Sequence, residues 1–435
     1  MFATGGGIPW GRRAPSHIFV QGTLPFWPQM AAWRMVWGMS ALPEPAPSAT
    51  PSAPPRRLVL VMAVATGVAV ANLYYAQPLL GAMARSLRVP LAALGLVTTL
   101  SQIGYALGLL FLTPLGDVRP RRRLIVSLLV AVALPLVAMA LSPGLAALAV
   151  SSLFLGLLTV TPQVIIPLAA ALSPDAGRGR VVGTVMSGLL IGVLLTRTVS
   201  GVVAGYLGWR VVYWLAAGAS LALAAVLQRA LPTEAPPERV GYGGLLASVW
   251  DLARSQPVLR QSALTGAALF GAFSAFWTTV TFYLAGPPWH LGPATIGLLG
   301  IAGLAGASAA PVAGRLADRR GPRVLVGAAL IVALAAFGVL ALASARLWGV
   351  AVGAAVLDLG VQSGQISNQT RIYALLPEAK SRVNTVYMVG YFMGGALGSG
   401  LGAVAWHLGG WPAALGAGAL LLLGGLAAHL PRRGV

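Results

Sequence analysis

Two ionisable side chains stand well inside long apolar runs of this chain: Arg197, within 181–206, and Asp358, within 347–373. Charge in such surroundings is costly to keep, so each is a functional candidate by default. Asp358 opens a polar series, Asp358, Gln362, Gln365 and Gln369, whose steps of four, three and four put all these side chains on one helical face. Turned to lipid, that stripe would be expensive, so it should face a watery cavity or another helix. A carboxyl that alternates between water and a low-dielectric interior can take up a proton in one setting and release it in the other. Asp358, with Arg197, is therefore the candidate for proton coupling. The competing reading is a structural hydrogen bond or an ion pair between the two. At about 1.5 Å per residue, Asp358 lies roughly 15 Å below one membrane surface and Arg197 roughly 24 Å above the other. These depths differ by several ångströms, which leaves direct pairing open.

Three other apolar runs carry polar and aromatic groups. The first supplies Asn72, Tyr74, Tyr75 and Gln77; the fourth supplies Thr159, Thr161 and Gln163 beside Pro162 and Pro167; the seventh supplies Phe273, Phe276, Trp277, Thr278 and Tyr283. With Gln362, Gln365 and Gln369, the residues Asn72, Tyr75, Gln77, Gln163 and Trp277 are candidates to line a substrate cavity. Amides and aromatics offer hydrogen bonds and stacking without a fixed countercharge, which suits an uncharged or amphipathic solute. The plainer alternative is an interfacial aromatic belt with interhelical hydrogen bonds, and for Tyr283, near a helix end, the belt is preferred. No cysteine occurs, which removes disulfides and thiol chemistry. His17, His290, His407 and His429 are scattered without ligand spacing, so neither a metal nor a cofactor is expected. No nucleophile, base and metal ligands cluster near one face, so an enzyme is not expected either.

The elements that must hold these residues are membrane helices. Hydrophobic residues make up 57% of the chain and charged ones only 9%, too apolar for a soluble protein of this length. No Asp, Glu, Lys or Arg occurs between Arg57 and Arg85, Arg88 and Asp117, or Arg323 and Arg346, and each gap fits one span of about 20 residues. The gaps 124–174, 261–314 and 383–431 are about twice that length and read as helical hairpins, turned at Ser142-Pro143-Gly144, Gly286-Pro287-Pro288 and Gly409-Gly410-Trp411-Pro412. Twelve spans result: 58–80, 92–115, 124–141, 145–172, 181–206, 211–231, 261–285, 293–314, 323–344, 347–373, 383–405 and 411–430. A closed β-barrel needs shorter, alternating segments. The net charge of +20 follows from topology and not from nucleic-acid binding. With the N-terminus inside, only Arg85, Arg88, Arg210 and Arg346 flank the outer ends, and the other basic residues beside the spans lie inside. That bias predicts both termini in the cytoplasm.

Residues 1–57 read as a disordered extension, rich in proline and small residues from Pro43 to Pro55, with Met39 a candidate start. No clean apolar core there suggests a signal peptide. A first bundle, 58–231, is joined by a polar cytoplasmic linker, 232–260, to a second, 261–430, followed by the tail 431–435. The two bundles look like copies. The turn Gly116-Asp117-Val118-Arg119-Pro120-Arg121-Arg122-Arg123 is echoed by Gly314-Arg315-Leu316-Ala317-Asp318-Arg319-Arg320-Gly321-Pro322-Arg323, with the aspartates 201 residues apart. Arg180-Val181-Val182-Gly183-Thr184 is likewise echoed by Arg382-Val383-Asn384-Thr385, and Gly208-Trp209 by Gly410-Trp411. An aspartate at a helix N-terminus can accept backbone N–H groups and pair with arginines, locking one helix arrangement and releasing it in another. Asp117, Arg121 and Arg122 in the first turn, and Gly314, Asp318, Arg319, Gly321 and Arg323 in the second, are the expected conformational latch. The series Gly390, Gly394, Gly398 and Gly402 makes one smooth helix face for close packing.

The pattern Gly-x-x-x-Asp-Arg-x-Gly-x-Arg is met in full by Gly314, Asp318, Arg319, Gly321 and Arg323, whereas the first turn departs from it at Thr113, Val118 and Pro120. With six plus six spans and a polar central loop, the chain resembles the major facilitator superfamily of secondary transporters. Asn72-Leu73-Tyr74-Tyr75-Ala76-Gln77-Pro78 and the Asp117 turn look similar to bacterial sugar-efflux and multidrug-efflux permeases. The resemblance implies an all-α integral membrane fold of twelve transmembrane helices as two six-helix repeats, with helices 1, 4, 7 and 10 lining a central path. It further implies a monomer in the bacterial inner membrane, with proton-coupled efflux by antiport of a drug, sugar or similar small solute through alternating access. Proton-coupled uptake of a metabolite is the alternative, and a non-transporting sensor is a third reading.

Overall fold

The computed structural model describes residues 54–174, 177–233, 241–303, 320–376 and 379–430. Among them no strand occurs. The helices in chain order are α1 (Arg56–Ala71), α2 (Leu80–Leu87), α3 (Gly95–Phe111), α4 (Leu115–Val118), α5 (Arg121–Leu141), α6 (Leu145–Leu158), α7 (Thr161–Ala171), α8 (Arg178–Leu207) and α9 (Trp209–Ala230). After these come α10 (Tyr242–Ser255), α11 (Pro257–Ala285), α12 (Pro293–Leu298), α13 (Pro322–Ala343), α14 (Leu347–Tyr373) and α15 (Lys380–His429). Proline opens α11, α12 and α13 at their first turns, where its missing N–H costs nothing.

Nine of the described helices or joined segments are long and apolar enough to cross a membrane. Local causes separate that number from twelve. The first expected span is broken into α1 and α2 by a turn and a 3-10 segment, Gln77–Leu79. Pro78 cannot donate a backbone hydrogen bond, and its ring crowds the carbonyl four residues back. The eleventh and twelfth spans run together as α15, but Gly409 and Gly410 are not helical, and the φ of +62° at Gly410 is a conformation glycine adopts without strain. Beyond Gly303 the eighth span lies outside the described residues. The fourth is divided at Thr159 and Val160 into α6 and α7 but still counts as one crossing, Leu145–Ala171.

Alternation of the helices puts Arg56 and His429 on one face of the bundle, called here the terminal face, and Leu87, Gly95, Leu207, Ala285 and Pro293 on the far face. Packing is close where glycines remove side chains. On α15, Gly390, Gly394, Gly398 and Gly402 all face α11. A Cβ on Gly398 would stand 1.9 Å from the Gly271 carbonyl oxygen, and one on Gly394 would stand 2.3 Å from that of Ala267. In the first half, α1 meets α8 the same way, at Gly67, Gly188 and Gly192. Lipid offers no hydrophobic drive between helices, so such backbone proximity is what holds them.

Among the described residues, side-chain hydrogen bonds between the halves gather toward the far face. Thr99 of α3 meets Ser399 of α15 at 2.9 Å, Thr98 meets Thr278 of α11 at 3.2 Å, and Gln102 donates to Ser274 at 3.2 Å. On the other flank, the Thr198 hydroxyl of α8 donates to the Gly297 carbonyl of α12 at 3.0 Å. The linker helix α10 is tied down where the Tyr242 hydroxyl donates to the Phe111 carbonyl, 2.7 Å away.

Gly398→Ala should lower the melting temperature in detergent by an amount matching about 1–3 kcal/mol of overpacking. Gly416→Ala, where an added Cβ meets nothing within 4 Å, should leave it unchanged.

Candidate functional site

The break in the first span places Gln77 at the boundary between the halves, buried to 4% exposure. Its backbone carbonyl accepts the Thr281 hydroxyl of α11 at 2.8 Å, and its side-chain oxygen accepts the Nε–H of Arg197 at 2.6 Å. Arg197 is 1% exposed on α8. Its guanidinium carbon lies 4.0 Å from the centre of a Trp277 ring, 5.0 Å from that of Tyr74 and 5.5 Å from that of Phe273. A desolvated cation over aromatic faces gains about 2 kcal/mol from the ring quadrupole. Trp277 then donates its indole N–H to Asp358 Oδ1 of α14 at 3.3 Å. Gln77, Arg197, Trp277 and Asp358 thus form one chain of contacts that begins in the first half and ends in the second.

The alternative of a direct Arg197–Asp358 ion pair is not what this conformation shows: no salt bridge within 4.0 Å joins them. Trp277 mediates instead. The guanidinium keeps one buried nitrogen, Nη2, without any hydrogen-bond partner.

Three glycines that the sequence reading passed over make room for this cluster. A Cβ on Gly297 would come 2.5 Å from the Arg197 carbonyl oxygen, one on Gly300 3.0 Å from Arg197 Cβ, and one on Gly303 2.5 Å from Asp358 Oδ2. Glycines spaced three apart at the start of the eighth span were the available signal, since that spacing lines up one helix face.

The remaining candidates divide. Gln163 donates to the Tyr105 hydroxyl at 3.2 Å, and Gln365 accepts the Tyr391 hydroxyl at 3.3 Å. Tyr105 and Phe392, from opposite halves, have ring centres 4.3 Å apart. Gln362, Gln365 and Gln369 are half-buried where Asp358 is buried, so the stripe becomes more accessible as it descends α14 toward the terminal face. Asn72 is buried with both amide atoms unpartnered. Tyr75 lies apart from the cluster, at an apolar groove of ≈ 490 Å³ between α1 and α8. Tyr283 stacks on Trp411 at 4.5 Å and donates to the Ser344 carbonyl at 3.0 Å, near the far face.

In the first charged turn, Arg121 lies 3.7 Å from Asp117 and donates to the Gly116 carbonyl at 3.2 Å. Arg122 reaches across to the end of α9, donating to the Thr233 hydroxyl at 2.8 Å and to the Gln228 carbonyl. Gly314, Asp318 and Arg319 lie outside the described residues. Gly321 precedes α13 with a φ of +84°, and Arg323 is exposed in that helix's first turn.

Gln77→Leu removes the acceptor that the buried guanidinium uses and should cost about 1–3 kcal/mol, against about 1 kcal/mol for Gln163→Leu, whose partner is a neutral hydroxyl. Paired melting curves in one detergent check the order. Equal costs would mean that the Gln77 contact carries no charge-assisted strength.

The profile of the Major Facilitator Superfamily matches residues 62–289 and 287–434. The chain is 42% identical over 366 residues to the uncharacterized transporter YgaY of Escherichia coli O157:H7, covering 84% of this chain and 93% of that one. It is 33% identical over 394 residues to the probable transporter SCO4007 of Streptomyces coelicolor, covering 87% and 91%. Among solved structures, a bacterial homologue of the human lysosomal transporter Spinster, inward-facing and unoccupied, matches with a TM-score of 0.65 at 15% identity, covering 86% of this chain and 93% of that one. An all-helical architecture among the described residues, a polar cluster at the junction of two halves and these likenesses agree: the chain belongs to the major facilitator superfamily and is a membrane transporter.

Proposed function

We propose that this transporter exports a small organic solute, such as a drug or sugar, in exchange for protons, by alternating access of a site between its halves. The observation that carries the reading is the chain Gln77–Arg197–Trp277–Asp358, which links two opposite charges through groups from both halves. Rocking the halves must break or rebuild that chain. Asp358 then changes its exposure to water, and with it its hold on a proton. Gln362, Gln365 and Gln369 mark the path from Asp358 to the terminal face, with Gln163, Tyr105 and Tyr391 facing it.

The charge bias of the loops supports placing both termini in the cytoplasm of a bacterium, the chain acting as a monomer in its inner membrane. The contacts gathered toward the far face then describe an inward-facing conformation. The Asp117 and Asp318 turns act as latches at the cytoplasmic ends, holding the outward-facing one. Efflux is preferred to uptake on the likeness of the Asn72–Pro78 segment and the Asp117 turn to efflux permeases.

Transport into inverted membrane vesicles under an imposed proton gradient tests the reading. Wild-type protein should accumulate substrate when the lumen is acidic, and Asp358→Asn should lose that accumulation while retaining gradient-free exchange. Undiminished accumulation by the variant would sink the coupling role of Asp358. Accumulation in right-side-out vesicles with inward proton flow would mark a symporter, and binding without flux a sensor.

A further inference from the structure

The sequence suggested a cavity without a fixed countercharge, yet the fold packs a full positive charge against two of the residues expected to line it, Gln77 and Trp277. Arg197 is buried to 1% exposure, holds a neutral amide through Nε, and leaves Nη2 buried and unpartnered. A buried guanidinium with an open hydrogen-bonding edge is expensive, and helix packing alone would be better served by an apolar side chain. The nearest described carboxylate, Asp358, takes its hydrogen bond from Trp277 instead.

From this we infer that Arg197 is the anchor for an anionic substrate, an organic oxyanion such as a carboxylate carried on a planar apolar body. The inference deepens the transport reading above and rests on it. A guanidinium recognises a planar carboxylate through paired N–H donors on one edge, and the open edge here includes Nη2. Around it stand flat surfaces for the body of such a molecule. Trp277, Tyr74 and Phe273 surround the guanidinium, and Phe270 continues the wall, stacked on Phe273 at 5.4 Å and on Tyr391 at 4.2 Å. The half-buried glutamines of α14 add neutral hydrogen bonds along the approach, and none of them repels an anion. Arg197 and Tyr74 come from the first half, Trp277, Phe273 and Phe270 from the second. The anchor and the flat walls therefore separate as the halves rock, which binds and frees the molecule.

Asp358 has a different part in this arrangement. It accepts the N–H at the edge of the Trp277 indole, whereas the guanidinium lies over that ring's face.

The test is a binding titration on purified protein, followed by thermal shift, with probes of one shape and three charges: benzoate, benzamide and benzylammonium, with 4-hydroxybenzoate and benzenesulfonate as further anions. Anions should raise the melting temperature of the wild type while benzamide and benzylammonium do not. Arg197→Gln should raise the apparent Kd for the anions by about ten- to a hundredfold, and Arg197→Lys, a point charge without the fork, by less. If Arg197→Gln does not fold, the charge series on the wild type and Arg197→Lys carry the test. Equal shifts from benzamide or benzylammonium, an unchanged anion Kd in Arg197→Gln, or no shift from any of the three anions overturns the inference. None of these readouts uses a proton gradient, so failure of the coupling role, seen in vesicles with Asp358→Asn, is a separate result.

Discussion

The guanidinium of Arg197 is the constraint around which the middle of this molecule is arranged. A cation removed from water must be surrounded by groups that replace its hydration, and those groups come from four parts of the chain. Gln77 reaches it only because Pro78 interrupts the first span. Trp277 and Phe273 come from α11, one turn apart on a single face. The start of the eighth span can pass beside it only because Gly297 and Gly300 carry no side chains there. Asp358 completes the cluster through the Trp277 indole N–H, without a salt bridge to the cation.

Outside this cluster the bundle depends on backbone proximity. Glycine-to-backbone contacts join α1 to α8 in the first half and α11 to α15 in the second, the same crossing in each copy of the duplicated unit. These make each half stiff. Between the halves the same kind of contact recurs, Gly297 beside the Arg197 carbonyl and Gly201 beside that of Pro293, together with single hydroxyl and amide pairs, Thr98 with Thr278, Thr99 with Ser399, Gln102 with Ser274. Each of these polar pairs is worth roughly 1 kcal/mol in a membrane.

The charged turn that advertises the duplication plays a local part in this conformation. Asp117 and Arg121 meet within their own turn, and Arg122 binds the end of α9. These contacts tie the third span to the sixth at the terminal face, within one half.

Much of this protein could be read from the chain alone. Long apolar runs with charges at their ends can only be membrane helices, because every backbone polar group must be satisfied inside the bilayer, and repeated motifs expose the two copies. Asp358 and Arg197 stood out for the same reason: the cost of a buried charge is a property of the residue and its surroundings in sequence. The glycine face of α15 followed from spacing, and the structure puts all four glycines against α11. What spacing could not supply was which faces meet. The break at Pro78 turned Gln77 toward Arg197 and left Tyr75 at an outer groove, although the two are neighbours in sequence. The Trp277 indole was brought into contact with two charges that one-dimensional depth counting would equally have allowed to pair. Helical periodicity fixes positions along and around one axis, whereas the rotation of each helix against its neighbours is set by packing among all of them. Only the tertiary structure decided that a lone arginine would become the centre of the site.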